Sequence, residues 1–348
     1  MREGLVFSAA GLLLGFAAAA VLSALLGESP WLVLTVLVRG SVGSLNNLAY
    51  SLYYATPLIF TGLAVAWAFH ARLFNIGAEG QMAIGGLAAV SFGLTFPELP
   101  SLLAIPGALL SAMAAAGFWG AIAGYLKAYR KVHEVLATIM LNFIAYGIVS
   151  YAVSELWRNT ESQAPETRVL TESYRLPQVM DPLNFAILAG LAVAALFTLL
   201  LFRSRFGFYQ RMIGGGPKVA RLAGLNVERH VVAAMFVSGA LAGLAGISDI
   251  LGFSLKLREG FTGGAGFIGI AVALLGRNSA LGVILAAVLF GSLHKGSLDL
   301  DLDTDKISRD LSVVIQAFVI IFVASSRGLA DLWAWARKPR GVKEESRA

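Results

Sequence analysis

The stretch LFNIGAEGQMAIGG, residues 73–86, places three polar side chains and several glycines between two strongly apolar segments. The polar residues are Asn75, Glu79 and Gln81. A tight turn at the end of the preceding span would leave Glu79 in water. Alternatively, the stretch is unwound at membrane depth, where non-helical backbone is tolerated only if it is buried in protein or lines water. Transporters use such breaks as substrate sites, and these residues alone leave both interpretations open.

The composition of the whole chain predicts a polytopic membrane protein. Hydrophobic residues make up 57% of the 348 residues and charged residues only 14%, whereas soluble domains carry about 25% charged residues. The mean hydropathy is +0.74. A core of ordinary size cannot bury this much apolar surface, so most of it must face lipid. The absence of cysteine excludes disulfides and thiolate chemistry.

Long apolar runs predict an all-α fold of about ten transmembrane helices, since a helix needs about 20 apolar residues to cross a bilayer. The predicted spans are 5–26, 50–70, 80–96, 102–126, 134–156, 183–202, 231–252, 265–276, 280–294 and 311–326. The short pair 265–276 and 280–294 either spans twice or re-enters. The predicted domains are an N-terminal transmembrane helix at 1–27, a main transmembrane domain at 28–326 with a basic loop near 203–230, and a basic tail at 327–348.

The distribution of charge predicts that both termini are cytoplasmic. With the N-terminus inside, most of the 27 lysines and arginines fall in cytoplasmic segments. The polar loop 158–181 and the acidic run LDLDLDTDK at 298–306 then lie outside. The basic segment 202–230 lies inside, and its proline and glycine predict a short amphipathic helix that opens at Pro217 and closes at Gly224.

Polar residues also recur within the span 134–156, at successive i+4 steps that form one stripe on a helix. The stripe consists of Glu134, Thr138, Asn142 and Tyr146. It is either the wall of a hydrophilic pathway or a set of ordinary hydrogen bonds between helices, because polar residues within spans usually face a cavity or a partner.

The two glycine-rich patterns typical of nucleotide binding give no support for nucleotide chemistry in this chain, because one lacks its structural context and the other does not occur. GAGFIG, 264–269, matches G-x-G-x-x-G but lacks a strand–helix–strand context. Close helix packing through small residues explains it better, as it does GALAG at 239–243. The P-loop pattern G-x-x-x-x-G-K-[ST] does not occur in the sequence. We therefore expect neither an enzyme nor a bound cofactor or metal.

Four segments together resemble a known family over about residues 48–326. FNIGAEGQMAIGG, EVLATIMLNFIAYGI, the segment 202–230 and FVSGALAGLAG are similar to the permease subunits of ABC importers of the ribose, branched-chain amino acid and nucleoside group. The first two are most similar to the nucleoside branch. The resemblance implies a second permease, either a copy or a paralogue, cytoplasmic ATPase subunits that bind the ATP, and an extracytoplasmic substrate-binding lipoprotein.

The resemblance also implies roles for particular residues. The residues expected to couple to the ATPase are Gly214, Pro217, Lys218, Ala220, Arg221 and Gly224. The family commonly has an Asn-Pro pair before this helix, whereas this chain has GGGP, which leaves its polar cap in doubt. The residues expected to line the pathway, or the gate at its inner end, are Phe74, Asn75, Glu79, Gln81, Thr138, Asn142, Tyr146 and Phe267. Phe74 or Phe267 would stack a purine or sugar ring.

The expected function is translocation of a nucleoside, or a related small sugar-containing solute, across the inner membrane by alternating access. A separate ATPase would drive the cycle. The alternative is an ion-coupled secondary transporter, which needs a titratable group at mid-membrane and would use Glu79 or Asp249. The sequence leaves the nucleoside, sugar and amino-acid substrate classes open.

Overall fold

The computed structural model describes residues 2–25 and 27–304, together with four single positions between 314 and 321. The predicted tail at 327–348 and nearly all of the predicted span 311–326 lie outside these residues. The described residues fall into two compact units, one of residues 39–295 and one that combines those preceding residue 39 with those following residue 295. The described part of the smaller unit consists of helical segments near the N-terminus and at 296–303.

The described residues are mostly helical, which confirms the predicted all-α class. The α-helices are α1 (Arg2–Leu25), α2 (Pro30–Val42), α3 (Leu45–Phe69), α4 (Ala78–Thr95), α5 (Ser101–Arg130), α6 (Glu134–Tyr151), α7 (Ala186–Arg203), α8 (Arg205–Gly215), α9 (Pro217–Leu222), α10 (Val227–Gly243), α11 (Ile247–Asp249), α12 (Ala265–Leu275) and α13 (Ala280–Asp303). A small antiparallel hairpin joins β1 (Gln178–Met180) and β2 (Leu183–Asn184).

Among the residues that the structure describes, six helical stretches are long and apolar enough to cross a membrane. They are Leu45–Phe69, Ser101–Arg130, Glu134–Leu156, Ala186–Arg203, Val227–Ser254 and Ala280–Asp303. The first and fifth are mostly buried within the protein, whereas α5, α6 and α7 expose most of their apolar surface. The larger unit thus has a core of α3, α4 and α10, surrounded by helices whose outer faces suit lipid.

Small residues bring α5 and α10 into close contact. The buried side of α5 carries alanine or glycine at every fourth position, which forms one stripe on a helix. On α10, a Cβ added to Gly239 would overlap the Ala116 carbonyl, and one added to Gly243 would overlap the Ala116 side chain. The close packing predicted for GALAG is confirmed.

The structure refines the predicted set of helices at three places. The helix α2 was not predicted, because its apolar run is only about half the usual length of a span and contains Arg39. The span 280–294 extends to Asp303, so residues 298–303 of the acidic run are helical rather than part of a loop. The 11 residues of α12 measure about 16 Å at 1.5 Å per residue, too short to cross a bilayer alone.

The two ends of the larger unit differ in character. We call the end that carries the α5–α6 turn, α8 and α9 the basic end. The opposite end carries residues 157–185 and is called the loop end. There the backbone of segment 166–176 forms hydrogen bonds with the backbone of segment 251–257. Examples are the bonds from Thr167 N to Leu257 O (2.9 Å) and from Leu170 N to Leu255 O (2.7 Å).

Candidate functional site

An amide cluster holds the turn that precedes α4. The Asn75 side-chain nitrogen donates to Gln81 Oε1 (2.8 Å) and to Ser238 Oγ (2.7 Å). Its oxygen accepts from the backbone N–H of Gly77 (2.9 Å), and Ser238 donates in turn to Ala64 O (2.6 Å). Asn75 and Gln81 are completely buried. Because these side chains satisfy one another, they fix the turn instead of facing a cavity.

Two residues of the predicted α6 stripe reinforce the same turn. Asn142 Oδ1 accepts from the Gly80 N–H (2.9 Å), and its nitrogen donates to Ile76 O (3.0 Å). Thr138 is buried and packs against Gly77, where an added Cβ would lie 3.1 Å from the Thr138 Cβ. The sequence left two interpretations of the α6 stripe, a pathway wall or contacts between helices. Asn142 and Thr138 make contacts of the second kind.

Glu79 lies in the first turn of α4 and is only 1% exposed. Its Oε1 accepts from the Gly264 N–H (3.1 Å) and its Oε2 from the Gly266 N–H (2.7 Å). The Tyr146 hydroxyl is a further hydrogen-bond partner of the carboxylate. The interpretation that leaves Glu79 in water is therefore wrong, and the carboxylate caps the beginning of α12.

The depth of Glu79 follows from the lengths of two helices. Tyr146 lies twelve residues beyond Glu134 at the basic end of α6, a rise of about 18 Å. The helix α12 connects the Glu79 site to the Gly276 turn over about 16 Å. The hydrocarbon core of a bilayer is about 30 Å thick, so the distance of Glu79 from the basic end is roughly half of that thickness.

A cavity of about 430 Å³ opens beside Glu79. Its lining residues are Glu79, Ala83, Tyr146, Val149, Glu259, Gly260, Phe261, Thr262, Gly263, Gly264 and Phe267. Three aromatic rings and two carboxylates thus surround a volume in the range of small-molecule sites, about 300–1,000 Å³. Such a lining suits a flat, neutral, partly polar solute.

The structure brings only part of the predicted pathway to this cavity. Glu79, Tyr146 and Phe267 line it. Asn75, Gln81, Thr138 and Asn142 lie buried behind it. Phe74 instead packs edge-on against Phe69, with ring centroids 5.1 Å apart. A role in the pathway stays a prediction for all eight residues.

Sequence reasoning missed most of the cavity lining and one residue of the amide cluster. Glu259 and Phe261 line the cavity, and their segment EGFTGG, 259–264, shows the same mixture of polar and glycine residues that drew attention to residues 75–81. Ser238 completes the amide cluster. A single serine on an apolar helix gives no such signal, because its partner is distant in sequence.

The predicted coupling segment forms the short helix α9 at the basic end. Pro217 occupies its first turn and Ala220 is completely buried. The helix ends at Leu222, two residues before the predicted end at Gly224, which adopts a left-handed conformation with φ +84°. Glycine tolerates this conformation, which is common at helix ends.

The outer face of α9 mixes cationic and apolar side chains. Lys218 and Arg221 are exposed, and Arg221 pairs with Glu228 on α10. Val219 and Leu222 are also exposed, the latter at 90%. Gly214, at the end of α8, packs against the carbonyl of His70.

A family model described as branched-chain amino acid transport system / permease component matches residues 47–324. The match covers most of the chain, which therefore belongs to this family. The protein is a permease subunit of an ABC importer and a multi-pass protein of the inner membrane, and it is a transport subunit rather than an enzyme. Its class implies ATPase and substrate-binding partners.

Individual relatives carry more specific names. The guanosine ABC transporter permease protein NupP of Bacillus subtilis is 39% identical over 321 residues, covering 90% of this chain and 91% of the relative. The nucleoside ABC transporter permease protein NupB of Lactococcus lactis is 30% identical, with coverage of 89% and 88%. The glucose ABC transporter permease protein TsgB13 of Haloferax volcanii is 34% identical, with coverage of 78% and 74%. The resemblance is confirmed, and nothing here favours an ion-coupled transporter.

Proposed function

We propose that this chain carries a nucleoside, or a related small sugar-containing solute, through the cavity beside Glu79. The observation that carries the proposal is an aromatic cavity roughly half a bilayer thickness from the basic end, bounded by two breaks in the helical structure. Two of the relatives described above are named for guanosine or nucleosides, and this supports a nucleoside over a free sugar or an amino acid.

The cavity offers a nucleoside two kinds of contact. The rings of Tyr146, Phe261 and Phe267 suit a base, since stacking of a base on an aromatic side chain is worth about 1–3 kcal/mol in nucleic-acid complexes. The exposed carboxylate of Glu259 can accept hydrogen bonds from ribose hydroxyls. A free sugar lacks the planar base that these three rings suit.

The energy for transport comes from partners. We propose that the basic end is cytoplasmic, because positively charged loops favour that side. The α9 face with Lys218 and Arg221 then docks on an ATPase subunit, which binds the ATP, while no cofactor binds this chain. A second permease, identical or paralogous, completes the pathway, and an extracytoplasmic binding protein delivers the solute at the loop end. ATP-driven movement of α9 would open the cavity alternately to each side.

Removal of the cavity rings tests this assignment. We expect Phe267→Ala and Tyr146→Ala each to raise the KM for guanosine uptake by about tenfold or more, as the loss of a stacking contact implies. The matched control is Phe118→Ala on α5, which removes a ring that is 66% exposed and lies away from the cavity lining. An unchanged KM in both cavity variants, with assembly intact, would exclude this cavity as the nucleoside site.

A further inference from the structure

Two helices begin at one point in the middle of the larger unit. The first turn of α12 packs backbone to backbone on the first turn of α4, because a Cβ on Gly266 would overlap the backbone N and Cα of Glu79. Each helix start carries unpaired N–H groups and a partial positive charge. Both positive ends therefore meet at the Glu79 carboxylate.

Backbone groups occupy both oxygens of this carboxylate. Oε1 is held by Gly264 and Oε2 by Gly266, and the two helix starts offset the negative charge. Glu79 thus differs from Glu259, whose exposed carboxylate lines the same cavity. An arrangement of this kind fixes the protein backbone and is a poor binding site for a free cation.

The segment held by Glu79 is the cavity wall itself. Residues 259–264 connect the paired segment of the loop end to α12, and Gly260, Gly263 and Gly264 have φ values of +73°, +54° and +80°. A Cβ on any of these glycines would meet no atom within 4 Å, so conformation and not packing requires glycine there. Such a wall depends on its anchors, which include the Glu259 N–H donating to Pro165 O (3.1 Å) at its start, the Phe261 ring packed against Gly86, and Glu79 at its end.

We propose that Glu79 is a positioning residue that latches the cavity wall 259–264 onto the start of α4, and that it does not bind the solute. The proposal rests on the proposed function in one respect, namely that the cavity holds the transported solute. It assigns Glu79 to the opening and closing of the wall, whereas the Phe267 ring determines affinity. Loss of the latch should therefore slow transport at saturation and leave the apparent affinity nearly unchanged.

Opening of the wall can be followed by labelling a single introduced thiol, because the chain has no cysteine of its own. Thr262→Cys places one thiol at a buried position of the wall, and its maleimide labelling is measured in the assembled transporter in vesicles, with Glu79 intact and with Glu79→Gln. We expect labelling to be about tenfold faster in Glu79→Gln, since hydrogen bonds to a charged acceptor are worth more than those to a neutral one. The control is Glu161→Cys, an exposed position of the loop end, whose labelling should not change.

Uptake kinetics separate a latch from a ligand. We expect Glu79→Gln, without the cysteine, to reduce the maximal rate of guanosine uptake severalfold or more, with KM within about twofold of wild type. A tenfold higher KM with unchanged labelling would overturn the proposal and make Glu79 a ligand. Unchanged labelling with unchanged kinetics would overturn it as well.

A second variant covers the case in which Glu79→Gln does not assemble. Gly264→Ala strains the left-handed turn without adding a contact, and it should also speed labelling of the wall; unchanged labelling here would contradict the latch. The labelling result does not depend on which solute is carried. Failure of wild-type protein to transport guanosine would therefore remove the proposed function, whereas failure of the labelling prediction would remove only the latch.

Discussion

Glu166 is the buried acid of the loop end. Its Oε2 lies 2.7 Å from Lys256 Nζ and 3.5 Å from Arg258 Nε, and its backbone forms a bridge with Arg258. The hydrogen bond from Lys256 holds the pKa of the Glu166 carboxyl below its ordinary value of 4.5. This ion pair joins the two paired segments just before the chain enters the cavity wall.

The pKa shift predicts how the loop end responds to pH. Because the folded-state pKa is lower than that of the unfolded chain, the ion pair stabilises the pairing above about pH 4.5 and this contribution is lost as pH falls through the folded pKa. We expect hydrogen-exchange protection of the Thr167 and Leu170 amides to be high at neutral pH and to fall below that pH. Glu166→Gln should weaken it already at neutral pH and remove the dependence.

The exposed Glu161 supplies the control for this prediction. Glu161→Gln removes a carboxylate from the same loop without touching the Lys256 pair, and protection should follow the wild-type profile. A Glu166→Gln protein with wild-type protection at every pH would show that backbone pairing alone holds the segment.

At this scale the sequence predicts which residues matter better than it predicts what they contact. Asn75, Glu79 and Gln81 stood out because polar groups in an apolar run must have partners. Their partners, Ser238 and Gly264, lie more than a hundred and fifty residues away in the sequence. The direction of each side chain therefore depends on tertiary packing, which no local pattern contains.

At the scale of elements, the helix α8 connects the proposed coupling helix α9 to α3. Gln210 on α8 donates to the carbonyl of Trp67 (3.0 Å). The Trp67 ring stacks on Phe206 with centroids 5.8 Å apart. Gly214, also on α8, packs against the carbonyl of His70, the residue that follows α3. A displacement of α9 can therefore reach the end of α3, beyond which lies the break that bears Glu79.

A methyl group on Gly214 tests this contact. Since the Cβ of Gly214→Ala would overlap the His70 carbonyl oxygen, we expect a loss of about 1–3 kcal/mol in stability, typical of overpacking, and reduced ATP-driven uptake. Gly215→Ala adds the same group into open space on the same helix and should be neutral or slightly stabilising. Thermal unfolding in detergent and vesicle uptake measure the two effects, and equal behaviour of both variants would contradict the proposed connection.

The length of an apolar run predicts the bounds of a helix well only where one uninterrupted helix crosses the membrane. The span 134–156 matches α6 and its π-helical continuation, Ala152–Leu156, because one apolar run fills the whole width of the bilayer. The same rule misses α2, which is short, and ends α13 too early, since helical hydrogen bonds continue through the acidic residues 299–303. The length of an apolar run in the sequence also cannot show where α12 begins, because the Glu79 carboxylate fixes the start of that helix.

At the scale of the whole molecule, the proposed function combines a solute cavity and a cationic docking face with energy supplied by partners. The composition and the family segments were sufficient to predict the class, because lipid-facing surface and the absence of a P-loop are properties of the entire chain. The cavity could not be predicted, since its lining comes from α4, α6 and residues 259–267, which only the fold brings together.

The measurement that tests the central claim most directly is guanosine uptake by vesicles containing this chain with its ATPase, its second permease and its binding protein. Leucine and ribose serve as competing solutes. We predict uptake that requires ATP, persists when ion gradients are collapsed, and is inhibited by guanosine far more strongly than by ribose or leucine. Uptake that proceeds without the ATPase and follows an ion gradient would contradict the account.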